Sequence, residues 1–233
     1  MPGKNQPHSF DEIVNKQIRK WNLQTGHEKP SIQHRPPVIC ISREAGSGGN
    51  RLAHVLADAL DFDLFDQALV QRIADSAKVS AAVVASVDER WRSVMEDWMA
   101  DWSDRRHLWL DDYLKHLLKV LSTIGQHGHA VVVGRGGNFV LNRKEYFYSL
   151  RIRVIAPIEQ RIQKIASKMK MSIDNATKSV NKTDADRKAF IRKYFNEAID
   201  DPANYDLVIN TGRLTIEDGV EIAQAALGTL LRK

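Results

Sequence analysis

The sequence predicts an α/β fold: a five-stranded parallel sheet with helices on both faces and a helical lid inserted before the last strand. Apolar runs rich in β-branched residues alternate along the chain with segments whose apolar residues recur at helical spacing. The run from His129 to Gly134 is apolar throughout its interior, which is typical of a central strand covered on both faces. Strand, glycine loop and helix follow one another between Val38 and Leu60, as expected at the start of such a sheet.

The first 36 residues are interpreted as a helical appendage and linker, followed by one domain over residues 37–233. Ser9 suits the N-cap position of a short helix whose apolar residues, from Phe10 to Trp21, share one side. A proline-containing stretch after this helix indicates the linker. The helix packs either on its own domain or on a second subunit, and we favour its own domain.

A glycine-rich loop lies between the first strand and the next helix. It comprises Gly46, Ser47, Gly48, Gly49, Asn50 and Arg51. Glycines let backbone N–H groups approach an anion, and a helix N-terminus adds unpaired donors. In the pattern G-x-x-x-x-G-K-[ST], however, Arg43 takes the place of the first glycine, Gly49 that of the lysine and Asn50 that of the hydroxyl residue. The alternatives are a flexible turn and a phosphate-binding loop, in which a β-carbon at Gly48 or Gly49 would displace the phosphate.

Two strand ends carry residues suited to a ligand site. Asp66 ends the predicted second strand, where it fits a helix N-cap as well as a ligand contact. Arg72 follows in the next helix. Arg135 follows the central strand directly, and ligands of α/β sheets bind at the carboxyl ends of strands.

Four tryptophans mark the helical segment between Val79 and Gly125. Trp91, Trp98, Trp102 and Trp109 are spaced 7, 4 and 7 residues apart, so that they fall along one line of a helix. An ordinary core stripe is the first interpretation, and a homodimer interface is the alternative. The acidic residues of the same segment argue against a helix that lies on a membrane surface.

The predicted lid spans about residues 158–197 and is basic. From Asn142 to Glu197 the chain has 14 Lys or Arg residues against 6 Asp or Glu residues. Ser172 and Thr183 are each followed by early acidic residues, and both are predicted to begin helices.

Composition narrows the function classes. The single cysteine, Cys40, lies in the first predicted strand and cannot form an intramolecular disulfide. No apolar run approaches the ~20 residues of a membrane span, and no signal-peptide core is present, so that we expect a cytoplasmic protein without a membrane partner. A net charge of +5 and a pI of about 9.3 fit anionic ligands. The basic region lacks interleaved aromatic residues, and we expect no nucleic-acid partner.

The loop sequence SREAGSGG resembles that of the cytidylate kinase-like family, a branch of the nucleoside monophosphate kinases that lacks the loop lysine. The resemblance runs from about Pro37 to Leu227 and includes FDLFDQALVQRIA, VVVGRGGN, RVIAPIEQRI, TDADR and NYDLVINTGRLTIEDG. It implies the fold predicted above, and transfer of the γ-phosphoryl group of ATP to a nucleoside monophosphate, foremost CMP or dCMP. Mg²⁺ is the cofactor that the resemblance leads us to expect.

The resemblance also implies roles for individual residues. The loop residues 46–51 would hold the donor phosphates, and either Arg43 or Arg51 would replace the missing lysine; we favour Arg43. Asp66, Arg72 and Arg135 would contact the acceptor. The catalytic set would be Arg43, Arg135, Arg161, Arg187 and Arg192, of which the last three belong to the lid. VVVGRGGN lacks the acid that often organises Mg²⁺ at this strand end, and the metal ligands are therefore not identified.

Three other functions stay open at this point. A nucleotide-binding module without turnover is favoured by the absence of the loop lysine, of the loop hydroxyl and of the strand-end acid. A kinase of another small molecule would share the donor site and differ in the acceptor. A nucleic-acid-binding protein is suggested by the pI alone.

Overall fold

The computed structural model describes residues 10–24, 36–87, 92–93, 95–97, 99–100, 111–142 and 148–232. Five strands lie in this part of the chain: β1 Pro37–Arg43, β2 Asp63–Phe65, β3 Ala130–Val133, β4 Tyr148–Ile155 and β5 Leu207–Asn210. They form one sheet in the order β2-β3-β1-β4-β5, and every pairing is parallel. The predicted fold class is confirmed. Strand β1 lies in the middle of the sheet, and the strand predicted to be central, β3, lies next to it with a partner on each side.

Helices cover both faces of this sheet. The main ones are α1 Phe10–Gln24, α2 Gly49–Leu60, α3 Gln67–Asp75, α4 Ala77–Val84, α5 Asp112–His127, α6 Gly137–Val140, α7 Ile158–Met169, α8 Ile173–Phe195 and α9 Ile216–Leu230. A short 3-10 helix, Pro202–Asn204, precedes β5.

Strand β1 contributes to two hydrophobic cores, because successive side chains of a strand point to opposite faces. Val38 and Cys40 belong to the core beneath α1, α3, α4 and α5, which also includes the end of α8. Ile39 and Ile41 belong to the core beneath α2 and α9. The uninterrupted apolar sequence of β1 therefore follows from its burial on both faces.

Helix α1 packs against its own domain. Trp21 is 2% exposed; its ring stacks on those of Phe65 and His127, with centroid separations of 5.8 and 4.2 Å. At the rim, Lys20 Nζ lies 2.7 Å from the Asp63 carboxylate. Burying an aromatic ring of this size is among the larger single contributions to a core. The favoured interpretation of the N-terminal helix agrees with this arrangement.

One of the two predicted helix starts in the lid is wrong. Ser172 does cap α8, since its hydroxyl accepts the N–H of Asn175 at 3.3 Å. Thr183 lies in the interior of α8, which continues to Phe195. The acid after Thr183, Asp184, accepts a backbone N–H from another part of the chain rather than one from its own helix. The lid is therefore a hairpin of two helices, α7 and α8.

The four tryptophans of the predicted stripe lie outside the described residues, and the homodimer interface stays a prediction. Met95 and Met99 from the same segment are buried. Within the residues that the structure covers, no helix combines the length and the apolar character that crossing a membrane would need.

Candidate functional site

The glycine loop joins β1 to α2 at the carboxyl end of the central strand. Gly48 is the N-cap residue of α2, with a φ of 84°, and no side chain caps this helix. Within the described chain, the backbone N–H groups of Gly49, Asn50 and Arg51 have no acceptor. The loop thus presents adjacent backbone donors at a helix N-terminus, an arrangement suited to a phosphate group.

The fold itself requires the loop glycines, in addition to the role predicted for them in phosphate binding. A β-carbon at Gly49 would lie 2.5 Å from Cβ of Arg43, inside the protein. A β-carbon at Gly48 would lie 3.0 Å from Cδ1 of Ile216, and the φ of Gly48 belongs to the left-handed region that favours glycine. Both positions are restricted by protein atoms and backbone conformation. These contacts restrict both positions even without a ligand, and the expectation that a β-carbon there would displace a phosphate stays a prediction.

Arg43 lies across the ends of β1 and β3 and is 6% exposed. Its Nε donates to Oδ1 of Asn50 and its Nη2 to Oε1 of Gln67, each at 2.8 Å. Its Nη1 would lie 2.8 Å from a β-carbon at Gly134, so that glycine at this position makes room for the guanidinium. Nη1 has no acceptor in the described part of the chain, and its two N–H groups remain for a ligand.

Several arginines crowd this edge of the sheet. The pKa of Arg43 is lowered to about 9, first by burial and then by the positive charges of Arg187 and Arg135. Burial also lowers the pKa of Arg187, while the Asp184 carboxylate opposes this change. Arg43 is held by two side-chain amides and Arg135 by an aromatic ring, rather than by opposite charges. A bound anion would offset the repulsion between these cations.

Arg135 occupies a strained turn after β3. Gly134, Arg135 and Gly136 have φ values of 77°, 50° and 74°. The left-handed region is unfavourable for a residue with a β-carbon, and strain of this kind gathers at functional sites. The guanidinium of Arg135 lies 4.8 Å from the ring centroid of Phe190 in α8. Its Nε is buried without a partner among the described residues.

The lid helix α8 is attached to the glycine loop through Asp184. The Asp184 carboxylate accepts the N–H of Ala45 at 2.8 Å and Nη1 of Arg161 at 2.5 Å. Arg161, which is 7% exposed, also donates to the Ala45 carbonyl at 3.1 Å and pairs with Glu44 at 3.3 Å. Arg161 therefore ties both lid helices to the loop. Arg161 thus has a positioning role in this structure, and its predicted contact with a transferred group stays a prediction.

The structure brings only one of the two remaining lid arginines to the site. Nη1 of Arg187 donates to the backbone carbonyl of Arg43 at 3.0 Å, and its side chain lines a cavity of about 320 Å³ next to Arg135. Arg192 follows five residues later, which places it about 140° around the helix. Its side chain is exposed and lines neither cavity at this site.

Two loop side chains point away from a ligand position. Ser47 is buried, and its hydroxyl donates to the Glu44 carbonyl at 2.9 Å. The side chain of Arg51 is 72% exposed and lies 3.6 Å from the Glu217 carboxylate. Of the two arginines considered as replacements for the loop lysine, the structure therefore places Arg43 inside the site and Arg51 at the surface.

A second cavity, of about 440 Å³, shares Arg43 and Arg135 with the first and is also lined by Asp66 and Arg72. Asp66 caps α3 by accepting a backbone N–H from its first turn at 2.8 Å, so that its capping role is compatible with a place in the cavity wall. The guanidinium of Arg72 lies 4.1 Å from the ring centroid of Phe10 in α1. A larger cavity, of about 820 Å³, lies beneath α1, and none of its described lining residues belongs to the glycine loop.

Comparison with known proteins identifies the family. A model described as the cytidylate kinase-like family matches residues 38–213, which include the glycine loop, the Arg135 turn and the lid. The chain belongs to this family. The predicted resemblance is confirmed, and membership supports nucleotide kinase chemistry at the coarse level of a phosphotransferase.

Two named relatives are similar to this chain at low sequence identity. A cytidylate kinase of Methanocaldococcus jannaschii is 29% identical over 107 residues, which cover 46% of this chain and only 60% of that protein's length. A cytidylate kinase of Methanothrix thermoacetophila is 24% identical over 194 residues, which cover 83% of this chain and 99% of that protein. An uncharacterized protein of Eubacterium ventriosum shares the fold at 15% identity, with a TM-score of 0.62 over 82% of this chain and 98% of that one.

The resemblance to the family makes Mg²⁺ the expected cofactor, and the site residues test this expectation. The described residues contain no group of three His, Cys, Asp or Glu side chains that could hold a metal ion. Asn50 replaces the hydroxyl residue of the loop, and its Oδ1 already accepts from Arg43. The described site residues therefore fit phosphate groups and do not fit a metal ion held by protein side chains alone.

Three residues of the site were missed by sequence reasoning: Asp184, Phe190 and Gln67. Asp184 and Phe190 lie on the face of α8 that carries Arg187, at spacings of three residues. Helical periodicity would have grouped them if the helix had been predicted to continue through Thr183. Nothing in the local sequence marks Gln67 as a site residue, because its contact with Arg43 depends on how the end of β1 meets the start of α3.

Proposed function

We propose that this protein transfers the γ-phosphoryl group of ATP to a nucleoside monophosphate, with CMP or dCMP as the first candidates. The observation that carries the proposal is the group of Arg43, Arg135 and Arg187 at the mouth of a loop rich in free backbone donors. A phosphoryl group in transfer spreads negative charge over its equatorial oxygens. Fixed positive charge in a water-poor site stabilises that charge without reorganisation.

The donor phosphates would lie against the loop. The N–H groups of Gly49, Asn50 and Arg51 have no acceptor within the described residues and would bind a phosphate of the donor. Lys164 of α7 borders the same place, since its Nζ lies 3.6 Å from where a β-carbon of Gly48 would be. Arg43 would contribute its free Nη1 to the group in transfer, in the role of the missing loop lysine. Alignment and charge of this kind supply most of the rate enhancement in phosphoryl transfer.

The acceptor would occupy the space that Arg43 and Arg135 share. Arg72 and Asp66 line the 440 Å³ cavity on one side, and Arg187 lines the 320 Å³ cavity on the other. A guanidinium is well suited to the phosphate of a monophosphate acceptor because it offers parallel donors. The names of the two relatives, both cytidylate kinases, support CMP as the first acceptor to test.

A coupled assay of ADP release tests the proposal. ATP is offered with each of CMP, dCMP, UMP, AMP and GMP, and with a set of small-molecule alcohols. We expect the highest kcat/KM with CMP or dCMP. Protein with Arg43→Ala, purified in the same way, controls for contaminating kinases. ATP binding without ADP release on any acceptor would select the binding module instead, and release on an alcohol alone would select a kinase of another small molecule.

A further inference from the structure

The 440 Å³ cavity is lined by several side-chain amides, whose orientation decides what the cavity can bind. Three of them are Asn50, Gln67 and Gln71. An amide offers an acceptor oxygen at one end and a donor NH₂ group at the other. The neighbours of each amide therefore determine whether the cavity presents donors or acceptors.

Arg43 sets the orientation of two of these amides. A guanidinium has five N–H donors and no acceptor, so that any amide atom bonded to it must be the oxygen. Nε of Arg43 bonds Asn50 at 2.8 Å and Nη2 bonds Gln67 at 2.8 Å. The NH₂ groups of Asn50 and Gln67 are consequently turned away from Arg43, and within the described chain neither has an acceptor.

Gln71 differs, because both of its amide atoms are already in use. Its Oε1 accepts the hydroxyl of Tyr113 at 2.7 Å, and its Nε2 donates to the Asp75 carboxylate at 2.7 Å. Gln71 lines the same cavity, but its NH₂ group is already directed to the Asp75 carboxylate, and only one of its two N–H donors remains. It provides a matched control for Gln67.

We propose that Gln67 is a specificity-determining residue, whose NH₂ group, turned outward by Arg43, donates to an anionic oxygen of the phosphoryl acceptor. The inference rests on the proposed function for the identity of the acceptor. It adds Gln67 as a residue that selects this acceptor. With the guanidinium groups of Arg43, Arg72 and Arg135, the NH₂ groups of Asn50 and Gln67 give the wall more donors than acceptors, although the Asp66 carboxylate also lines it. Such a wall selects ligands that present phosphate or carboxylate oxygens and disfavours ligands that present amines.

The decisive variant is Gln67→Glu, which keeps the length of the side chain and its contact with Arg43. A carboxylate there still accepts from Nη2 of Arg43, and a purely structural role of Gln67 would be preserved or strengthened. The change replaces the outward NH₂ by an anionic oxygen. Gln67→Met removes the NH₂ without adding charge, and Gln71→Glu adds the same charge to the same cavity.

Binding of CMP and of inorganic phosphate is measured by calorimetry without ATP, and KM and kcat are measured in the ADP-release assay. We expect Gln67→Glu to raise the Kd and KM for CMP at least 30-fold and Gln67→Met about tenfold, with the Kd of ATP changed less than threefold. Gln71→Glu should raise the Kd of CMP no more than threefold. Thermal unfolding should show an unchanged or raised Tm for Gln67→Glu.

The inference and the proposed function fail in different ways. A Kd for CMP in Gln67→Glu within threefold of that in Gln71→Glu overturns the inference and leaves the kinase proposal intact. Ligand binding that depends on Gln67, without ADP release on any acceptor, supports the inference and overturns the kinase proposal. Wild-type protein that binds neither CMP nor phosphate overturns the inference.

Discussion

Arg43 is kept in the site by hydrogen bonds and packing instead of by an opposite charge. Two neutral amide oxygens accept hydrogen bonds from it. Its aliphatic stem packs directly against Gly49, where a β-carbon would clash with it. Among the described residues no carboxylate is bonded to Arg43, although the charge of Asp66 acts on it, so that most of its charge remains for a ligand. Burial strengthens the interaction of that charge with an anion. Burial and the neighbouring arginines make the charged form of Arg43 less stable, and its pKa is lowered to about 9 as a result. A bound anion would stabilise the charged form and so offset this cost.

At the residue scale, Arg43→Ala should lower kcat by about 10²-fold, as the loss of one transition-state donor commonly does. Arg43→Lys should restore activity only in part, because an ammonium cannot bond Asn50 and Gln67 in the same fork. Arg51→Ala is the matched control and should change kcat less than threefold, since Arg51 is exposed. Steady-state kinetics of ADP release checks all three. Loss of turnover in Arg51→Ala, with normal turnover in Arg43→Ala, would reverse the assignment.

Helix α8 contacts the site at its middle and the core at its end. Asp184 is bonded to the loop, while Phe195 is buried against Phe139 with ring centroids 5.4 Å apart. Between these two points the helix presents Arg187 and Phe190 to the cavity. The position of the loop and that of the lid residues are therefore coupled through one rigid element.

At the element scale, Asp184→Asn should loosen the loop without unfolding the protein. The variant keeps an acceptor for the N–H of Ala45 but loses the charge that pairs with Arg161. We expect the backbone amides of residues 44–48 to exchange their hydrogens about tenfold faster, measured by mass spectrometry. Asp186→Asn, a change of equal charge at an exposed position of α8, should leave this exchange unchanged. Equal exchange in both variants would show that Asp184 does not hold the loop.

Local patterns predicted the sheet and most helices, because burial on one or two faces imposes a period on the sequence. They also predicted the glycine loop, the arginine after β3 and the N-cap at Ser172. They did not predict the contact between Asp184 and Ala45, whose residues are 139 positions apart. Nor did they separate Arg161 from Arg187, since both are basic residues of lid helices. The two differ only in which neighbours the fold brings to them.

At the scale of the whole molecule, α1 closes the core over a histidine that is kept neutral. His127 stacks against Trp21, and its Nε2 lies 2.9 Å from the hydroxyl of Ser86. That hydroxyl donates to the Val83 carbonyl, so that Nε2 must carry the proton and donate to Ser86. Burial lowers the pKa of His127 to about 4.

Stability should therefore fall as the pH falls from about 6.5 to 4. In this range the unfolded state binds a proton at His127 and the folded state does not, which favours unfolding by up to about 3 kcal/mol. Burial lowers the pKa of His129 as well, and this residue contributes in the same direction. Urea unfolding at several pH values checks the prediction. His127→Phe keeps an aromatic ring beside Trp21 and should flatten the pH dependence; an equally steep loss in that variant would contradict it.

Asp184 lies at the midpoint of the 23 residues of α8. A rotation of the helix about one end therefore moves Asp184 by half as much as it moves the other end. At 1.5 Å per residue, Ser172 lies about 18 Å from Asp184, and Phe195 lies about 17 Å from it on the other side. If the helix tilts by about 10° about Phe195, Asp184 moves by roughly 3 Å and Ser172, at the other end, by roughly twice as much. A small rotation at the buried end, where Phe139 and Phe195 meet, is thus enough to separate Asp184 from Ala45 and Arg161, which it contacts at 2.8 and 2.5 Å.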